Sequence, residues 1–422
     1  MNRKDRSSAQ RMCKLALALA AAWLSTAHAE TSPWYIGARE TITRDSNVFR
    51  TTSAQSDTIF STGLFGGLDQ QIGRQRLRGN LAANWNRYRE VDALNHTDGS
   101  AGLRLDWETV EHLSGDLQVN HRRSLYRDFA QSVEAQKIIV NTTDAAFNAR
   151  LGVVTAWTLE AGAFGSRTRF DAPLSTSNID YDGYRAGVRY AESSLLALGL
   201  GYRHTRGEYP KAAVSANDFD RDDIDLTLGW NPNDISSFAG RVSRTKLHYP
   251  NLSERSSALT TGQLDYKLRP GGRLSLDASL QRDNNAGQSI SDLVVDVGGG
   301  GLALGSQLSA DARVSTTTAV AAHYELTGKV QLGLDLRHVD RKLDSTLTDT
   351  LLNGQATVIP RSANDRTDSV GLNATYDPTR TLRLSCGVTR IKRRVGGPDA
   401  ATLTYPYSVN LTSCMAQLAL QP

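Results

Sequence analysis

The sequence predicts an all-β fold, a transmembrane antiparallel up-and-down β-barrel of about 18 strands that follows a cleaved signal peptide. Three observations predict it. Apolar and polar residues alternate with period two along most of the chain. Tight turns alternate with long polar loops. Trp and Tyr residues gather beside the tight turns.

The N-terminus opens with the basic stretch "MNRKDRSSAQRMCK" and the short apolar run "LALALAAAWL". "STAHAE" then offers an Ala-x-Ala site at Ala27 and Ala29. This pattern predicts a signal peptide over residues 1–29, cut before Glu30, and a single outer-membrane barrel domain over 30–422. The run is too short to span a bilayer. Cys13 precedes the run rather than the cleavage point, so it is not a lipoprotein cysteine. Arg3, Lys4, Arg6, Arg11 and Lys14 lie in the leader against Asp5, so the formal +4 charge leaves with it. The mature chain is near neutral, and no basic stripe points to nucleic acid.

After the leader no apolar run is long enough for a transmembrane helix. Hydrophobic residues make up 39% and glycine is plentiful at 35, with no linker or shift of composition that would split the chain. A wall with one polar face needs no more apolar content than this.

The alternation is clearest in five stretches. Leu274, Leu276, Ala278 and Leu280 alternate with Ser275, Asp277, Ser279 and Gln281. "AGLRLDWE" sets Leu103, Leu105 and Trp107 against Arg104, Asp106 and Glu108. "DIDLTLGW", "KVQLGLDLRH" and "DSVGLNATY" repeat the pattern. Tight turns fall at 73–75, 109–112, 154–157, 192–194, 231–234, 269–273, 327–329 and 377–380, several with Pro or Gly. Polar loops such as "TRDSNVFRTTSAQSD" and "EYPKAAVSAND" lie between them. Eight tight turns and nine loops join eighteen strands and put both termini in the periplasm. The strands read as about ten to fifteen residues, long for a soluble sandwich and suited to a tilted crossing of a bilayer. The final "ALQP" lacks the terminal aromatic common in barrels.

Trp107, Trp157, Tyr190, Trp230, Tyr266, Tyr324 and Tyr376 each lie near a different tight turn, on the oily face by parity. Amphipathic rings prefer the headgroup level, so they are expected to form an aromatic girdle in contact with outer-membrane lipid. The opposite parity gives the expected lumen lining: Arg104, Asp106, Arg122, Arg185, Arg189, Arg203, Asp225, Arg241, Asp265, Lys267, Asp277, Glu325, Asp335, Arg337 and Arg383. Both signs of charge are present, as in a hydrated wall. Inward aromatics are few, Phe164 among them. The longest connection, about 285–310, has an apolar centre and four consecutive glycines, Gly298 to Gly301. It reads equally as a constriction folded into the barrel and as an external loop.

No catalytic constellation is legible. His96, His112, His121, His204, His248, His323 and His338 show no metal spacing, and Gly-x-Ser-x-Gly is absent. No cofactor, metal site or enzyme activity is expected. Cys386 and Cys414 flank the last loop symmetrically about Ala400, and a hairpin centred there brings them within bridging distance. A small bulge near Ser413 is expected to put both on one face. Export to an oxidising compartment favours a disulfide.

The N-terminal third carries a resemblance. Asp45-Ser46-Asn47-Val48-Phe49-Arg50, Ser56-Asp57-Thr58-Ile59, Gly73-Arg74-Gln75-Arg76, the Arg87–Tyr88 pair, and Leu94-Asn95-His96-Thr97 followed by Trp107 resemble the EpsL-type outer-membrane β-barrel proteins of exopolysaccharide operons. The likeness covers roughly 34–110 and is architectural beyond. It implies a role in export of an extracellular polysaccharide across the cell outer membrane of a Gram-negative bacterium, with a periplasmic polysaccharide-export protein as partner. A general porin for small solutes is the alternative. A third reading is a barrel enzyme acting on lipid or polymer, because such sites assemble from separate strands.

Overall fold

The computed structural model describes residues 32–421 except 110–111, 128–135, 153–155, 194, 212–217, 251–255, 285–311, 351–355 and 401–403. The expected signal peptide and the apolar centre of the longest connection lie outside the described residues. The first nine strands are β1 (Trp34–Asp45), β2 (Asp57–Ile72), β3 (Gln75–Tyr88), β4 (His96–Glu108), β5 (Leu113–Leu125), β6 (Ile139–Leu151), β7 (Trp157–Phe170), β8 (Ile179–Tyr190) and β9 (Leu196–Glu208). They continue as β10 (Phe219–Asn233), β11 (Ser236–His248), β12 (Ser257–Leu268), β13 (Leu274–Asp283), β14 (Ala312–Thr327), β15 (Val330–Thr350), β16 (Ala356–Tyr376), β17 (Leu382–Gly396) and β18 (Tyr407–Leu420).

Each strand pairs with its sequence neighbours, and β18 pairs antiparallel with β1 from Ile36↔Leu420 to Asp45↔Leu411. The result is a closed 18-stranded up-and-down barrel, the fold class expected from the alternation. The connections from β2 to β3, β4 to β5, and so on to β16 to β17 are all short, and at the opposite rim the β15–β16 connection, 351–355, is as short where a long loop is expected. β1 begins and β18 ends at that same rim, because Ile36 pairs with both Leu420 and Gly66. The β2–β3 turn is as tight as a hairpin allows. Ile72 pairs with Gln75, and Gly73 takes φ of 60°, a left-handed conformation that costs glycine nothing.

Why the apolar side chains point outward follows from closure. A barrel of this width has a large hollow, and the bilayer offers the only dry environment. Ile36, Leu64, Leu81, Leu103, Leu117, Leu200, Leu226, Val242, Leu264, Leu280, Leu332 and Leu372 are all exposed large hydrophobics, and the ladders put them on one face right around the wall. Leu274 and Leu280 belong to this face, and Asp277 to the other.

Toward the loop rim the pattern inverts, which parity alone does not anticipate. On β10 the outward residues Trp230, Leu228, Leu226 and Ile224 are followed by outward Asp222 and Asp220. Inward Phe219 at that rim is 2% exposed. Above the bilayer the outer face meets water, so the polar residues belong there. The inner face is covered by the loops, so apolar residues pack there. Four buried clusters follow from this: Val48, Ile59, Tyr88 and Leu94; Ile138, Val140 and Phe170; Ile179, Phe219, Leu247 and Tyr249; Leu343 and Ala363. The loops are therefore not merely polar connectors.

Two further expectations need correction. β15 and β16 run 21 residues each and pair from Val330↔Tyr376 to Thr350↔Ala356, well beyond the expected ten to fifteen. No turn signal interrupts "DRKLDSTLTDT", so the ladder simply continues. Cys386 and Cys414 are directly paired in an unshifted β17–β18 register with Cα atoms 4.1 Å apart, and the disulfide is formed. Directly opposed residues of an antiparallel pair share a face, so no bulge at Ser413 is required.

Candidate functional site

The lumen wall is the candidate site. Its residues are the alternate positions to the apolar exterior, and the ladders carry that parity consistently from β4 to β17. Side chains that bond across intervening strands identify the concave side. Arg221 on β10 reaches Asp283 on β13 at 3.0 Å, past β11 and β12.

At the tight-turn end, Arg104 donates through Nε to Asp106 at 2.8 Å and lies 3.8 Å from Asp116. Arg78 also bonds Asp106, and Arg150 bonds Asp116 at 2.8 Å. These form a ladder of alternating charge across β3 to β6, each acid receiving two guanidinium groups. Arg269 in the β12–β13 turn grips both oxygens of Asp277 at 3.0 Å, and Arg383 clamps Asp377 of the β16–β17 turn at 2.8 and 3.1 Å. Glu325 pairs with Gln331 beside the β14–β15 turn.

Higher in the wall, Arg203 donates to Asp223 at 2.9 Å and stands 3.8 Å from Asp225. Ser243 bonds Asp225, and Arg241 is 4.0 Å from it. Asp265 accepts from the Gln263 amide at 2.8 Å. Lys267 is paired in register with Ser237 and Asp277. Asp335 accepts from Asn373 at 3.2 Å through one oxygen, and its other oxygen has no hydrogen-bond partner among the described residues. Arg337 is half-buried, and its Nε likewise has no hydrogen-bond partner among the described residues. Arg122 and Arg189 occupy inward positions opposite Ser100 and Gly199.

Beside this wall lies a niche of about 350 Å³, lined by Gln118, Asn120, Asp144, Asn148, Phe164, Tyr181, Arg185 and Arg203 among others. Glycines on β7 and β8 make room for it. A Cβ on Gly162 would come 3.1 Å from the Arg185 Nε, and one on Gly183 would come 2.6 Å from the Phe164 ring. Arg185 bonds the Asn148 amide oxygen and remains exposed. Among the described residues no acid pairs with it. The niche combines two rings, three amides, a carboxylate and a guanidinium with no acidic partner among the described residues, which suits a small polar solute better than an apolar one.

The loop rim holds three buried polar knots that parity did not reveal. Asp45, 0% exposed, accepts from Arg50 and from Arg127, whose other nitrogen bonds the Tyr88 hydroxyl at 2.8 Å. Burial holds the Arg50 guanidinium below its ordinary pKa, outweighing the pull of Asp45. Asp57 caps the backbone N–H groups of Arg89, Glu90 and Val91 at 2.9–3.1 Å, and the Tyr88 N–H donates to Asn95. The segments 45–50, 56–59, 87–88 and 94–97 thus meet in one knot around Val48, Ile59, Tyr88 and Leu94. A second knot joins Arg221 to Asp223 and Asp283, and a third joins Arg341 to Asp365.

The aromatic residues stand on the outer face at the tight-turn rim. Trp157 and Tyr190 are 4.8 Å apart, Trp230 stacks on Phe238 at 5.2 Å, and Phe238 stacks on Tyr266 at 4.5 Å. Trp107 stacks on Phe147, while Tyr324 and Tyr376 are exposed on the same face. An upper set, Phe60, Trp85, Tyr184 and Tyr202, is also outward and exposed. Trp107 lies ten residues along β4 from Thr97, the partner of Trp85. At ~3.4 Å per residue and a tilt of ~40° the two levels are roughly 26 Å apart, the height of an acyl layer. The described residues contain no group of His, Cys, Asp and Glu that could hold a metal ion.

Closed wall, apolar belt and polar hollow define an outer-membrane β-barrel of a Gram-negative bacterium. No family model matches the chain, and no characterised protein sequence does. Among solved structures it is similar to the outer membrane protein OpdK of Pseudomonas aeruginosa, with 12% identity over 92% of this chain and 98% of that one and a TM-score of 0.47. OccK2 (OpdF) of the same organism gives 11% identity, the same coverages and 0.46; OpdL gives 14%, 93% and 99%, and 0.43. Overlap this limited says nothing about solute or partner.

Proposed function

We propose that the protein is a passive channel for small hydrophilic solutes, acidic ones among them. The observation that carries this reading is the inward face: charges of both signs, paired along the wall, and a polar niche beside the exposed guanidinium of Arg185. Paired charges give a hydrated surface without a deep trap, and a flexible polar solute can exchange water for wall contacts at little cost. Reconstitution into planar bilayers tests it. Discrete conductance steps in KCl, with swelling of proteoliposomes in neutral and acidic monosaccharides, are the expected result. A silent bilayer and unswollen vesicles overturn it.

A second reading is passage of an extracellular polysaccharide handed over by a periplasmic export protein. The segments resembling EpsL-type proteins favour it. In the fold four of those segments, 45–50, 56–59, 87–88 and 94–97, meet in the Asp45–Asp57 knot at the loop rim, while 73–76 and Trp107 lie at the tight-turn rim. Gene deletion separates the readings. Loss of secreted polymer with periplasmic accumulation supports export; unchanged polymer with impaired uptake of small solutes supports the channel.

A further inference from the structure

The outer face of β15, β16 and β17 carries a cluster of cations where the apolar belt ends. On β17 the outward residues run Leu384, Cys386, Val388 and then Arg390, Lys392 and Arg394. Arg390 pairs with Val370, the last apolar outward residue of β16 before Asp368 and Arg366. On β15, Leu336 gives way to His338, Asp340 and Lys342. Counted from Tyr376, which pairs with Leu384 at the aromatic level, Arg390 is six residues up and Arg394 ten. The tilt and rise used above place them roughly 16 and 26 Å from that level. Arg394 stands at the junction of acyl chains and headgroups on the loop side, and Arg390 lies about 10 Å below it, from where a long side chain reaches upward.

The charge balance of the cluster is uneven. Arg366 pairs with Asp340 at 3.0 Å, while His338 and Arg394 share Asp368 at 2.7 and 3.8 Å. Among the described residues no acid forms an ion pair with Lys342, Arg390 or Lys392, although Lys392 stands opposite Asp368 in the β16–β17 register, and all three are exposed. Among the described side chains of this face, five Lys and Arg therefore accompany two Asp. The opposite wall is nearly balanced by comparison: Arg206 pairs with Glu208, and Asp220 and Asp222 stand beside Arg244 and Lys246. Unpaired cations at this depth are costly unless their heads meet anions, and long side chains over an apolar belt reach upward to do so.

We infer that this face binds a phosphorylated glycolipid of the outer leaflet, with the acyl chains on Leu336, Leu372 and Val388 and the phosphates on Lys342, Arg390, Lys392 and Arg394. Charge complementarity selects the phosphate, and the apolar belt directly below selects a lipid over a free anion. The site is distinct from the lumen and independent of what the channel carries.

The test uses the full-length mature barrel in mild detergent, probed with bisphosphorylated lipid A, its dephosphorylated form, phosphatidylglycerol and inorganic phosphate. Bisphosphorylated lipid A is expected to bind at least tenfold more tightly than the dephosphorylated form. The triple variant Arg390→Gln, Lys392→Gln, Arg394→Gln should lose that advantage, whereas Arg244→Gln, Lys246→Gln should change it less than twofold. Folding of each variant is checked by the shift of gel mobility on boiling. If the triple variant fails that check, the pair Arg390→Gln, Lys392→Gln is read instead, with a loss of at least threefold expected. Equal binding of both lipid A forms, an unaffected folded variant, or equal binding of phosphatidylglycerol or of phosphate alone overturns the assignment.

Discussion

A single nitrogen of Arg50 holds both carboxylate oxygens of Asp45 at 2.8 Å, and Arg127 reaches the same acid at 3.0 Å from the β5–β6 loop. Asp45 is fully buried, so removing it leaves two guanidinium groups sharing a desolvated site. Breaking a buried pair from one side costs about 3–5 kcal/mol. Asp45→Ala should therefore lower the urea midpoint of the refolded barrel, with Asp45→Asn milder because it keeps one acceptor. Equal midpoints for all three would contradict the geometry.

Asp57 acts on backbone rather than charge. Its two oxygens accept from the N–H groups of Arg89, Glu90 and Val91, holding the β3–β4 loop against the rim. Asp57→Ala leaves those donors to water, at about 1–3 kcal/mol. The expected outcome is protease cleavage within 89–95 on intact cells or proteoliposomes, with the wall undamaged. Resistance equal to the wild type would count against the cap.

The disulfide between Cys386 and Cys414 encloses the β17–β18 loop, with a sequence separation of 28. A closed loop of that length stabilises by about 3–4 kcal/mol in the chain-entropy description. Alkylation of the denatured mature chain, 30–422, which lacks Cys13, should add no mass until reductant is present, and then two alkyl groups. Mass gain without reductant would show free thiols.

Arg185 has no acidic partner among the described residues and stands exposed over Gly162. Reversal of its charge changes the local potential without breaking an ion pair. Arg185→Glu should move the reversal potential in a KCl gradient toward cation preference, more at low salt than at high salt. A potential that does not move would place this residue away from the conducting path.

Much of the wall was legible because a strand has only two faces. "DLTLGWNPND" shows alternation, an interfacial Trp and a turn within ten residues, and the β10–β11 hairpin follows from it. What escaped were features set by depth. Phe219 and Ile224 have opposite parity, and only the height of the bilayer explains why both are correctly placed. The contact of Arg221 with Asp283 joins residues 62 apart through barrel curvature, which no local pattern encodes. The niche escaped for a similar reason, since Gln118 and Arg185 meet only after three ladders have formed.

The inversion of polarity along each strand also governs how the barrel reaches its membrane. Arg390, Lys392 and Arg394 end on the far side, so all of them must be hauled through hydrocarbon once during insertion, together with the rim of buried ion pairs. That journey disfavours spontaneous entry from solution and makes delivery through a thinned or catalysed gap in the bilayer the low-barrier route. Once across, the same charges forbid the return trip, and the molecule is held at one depth facing one way.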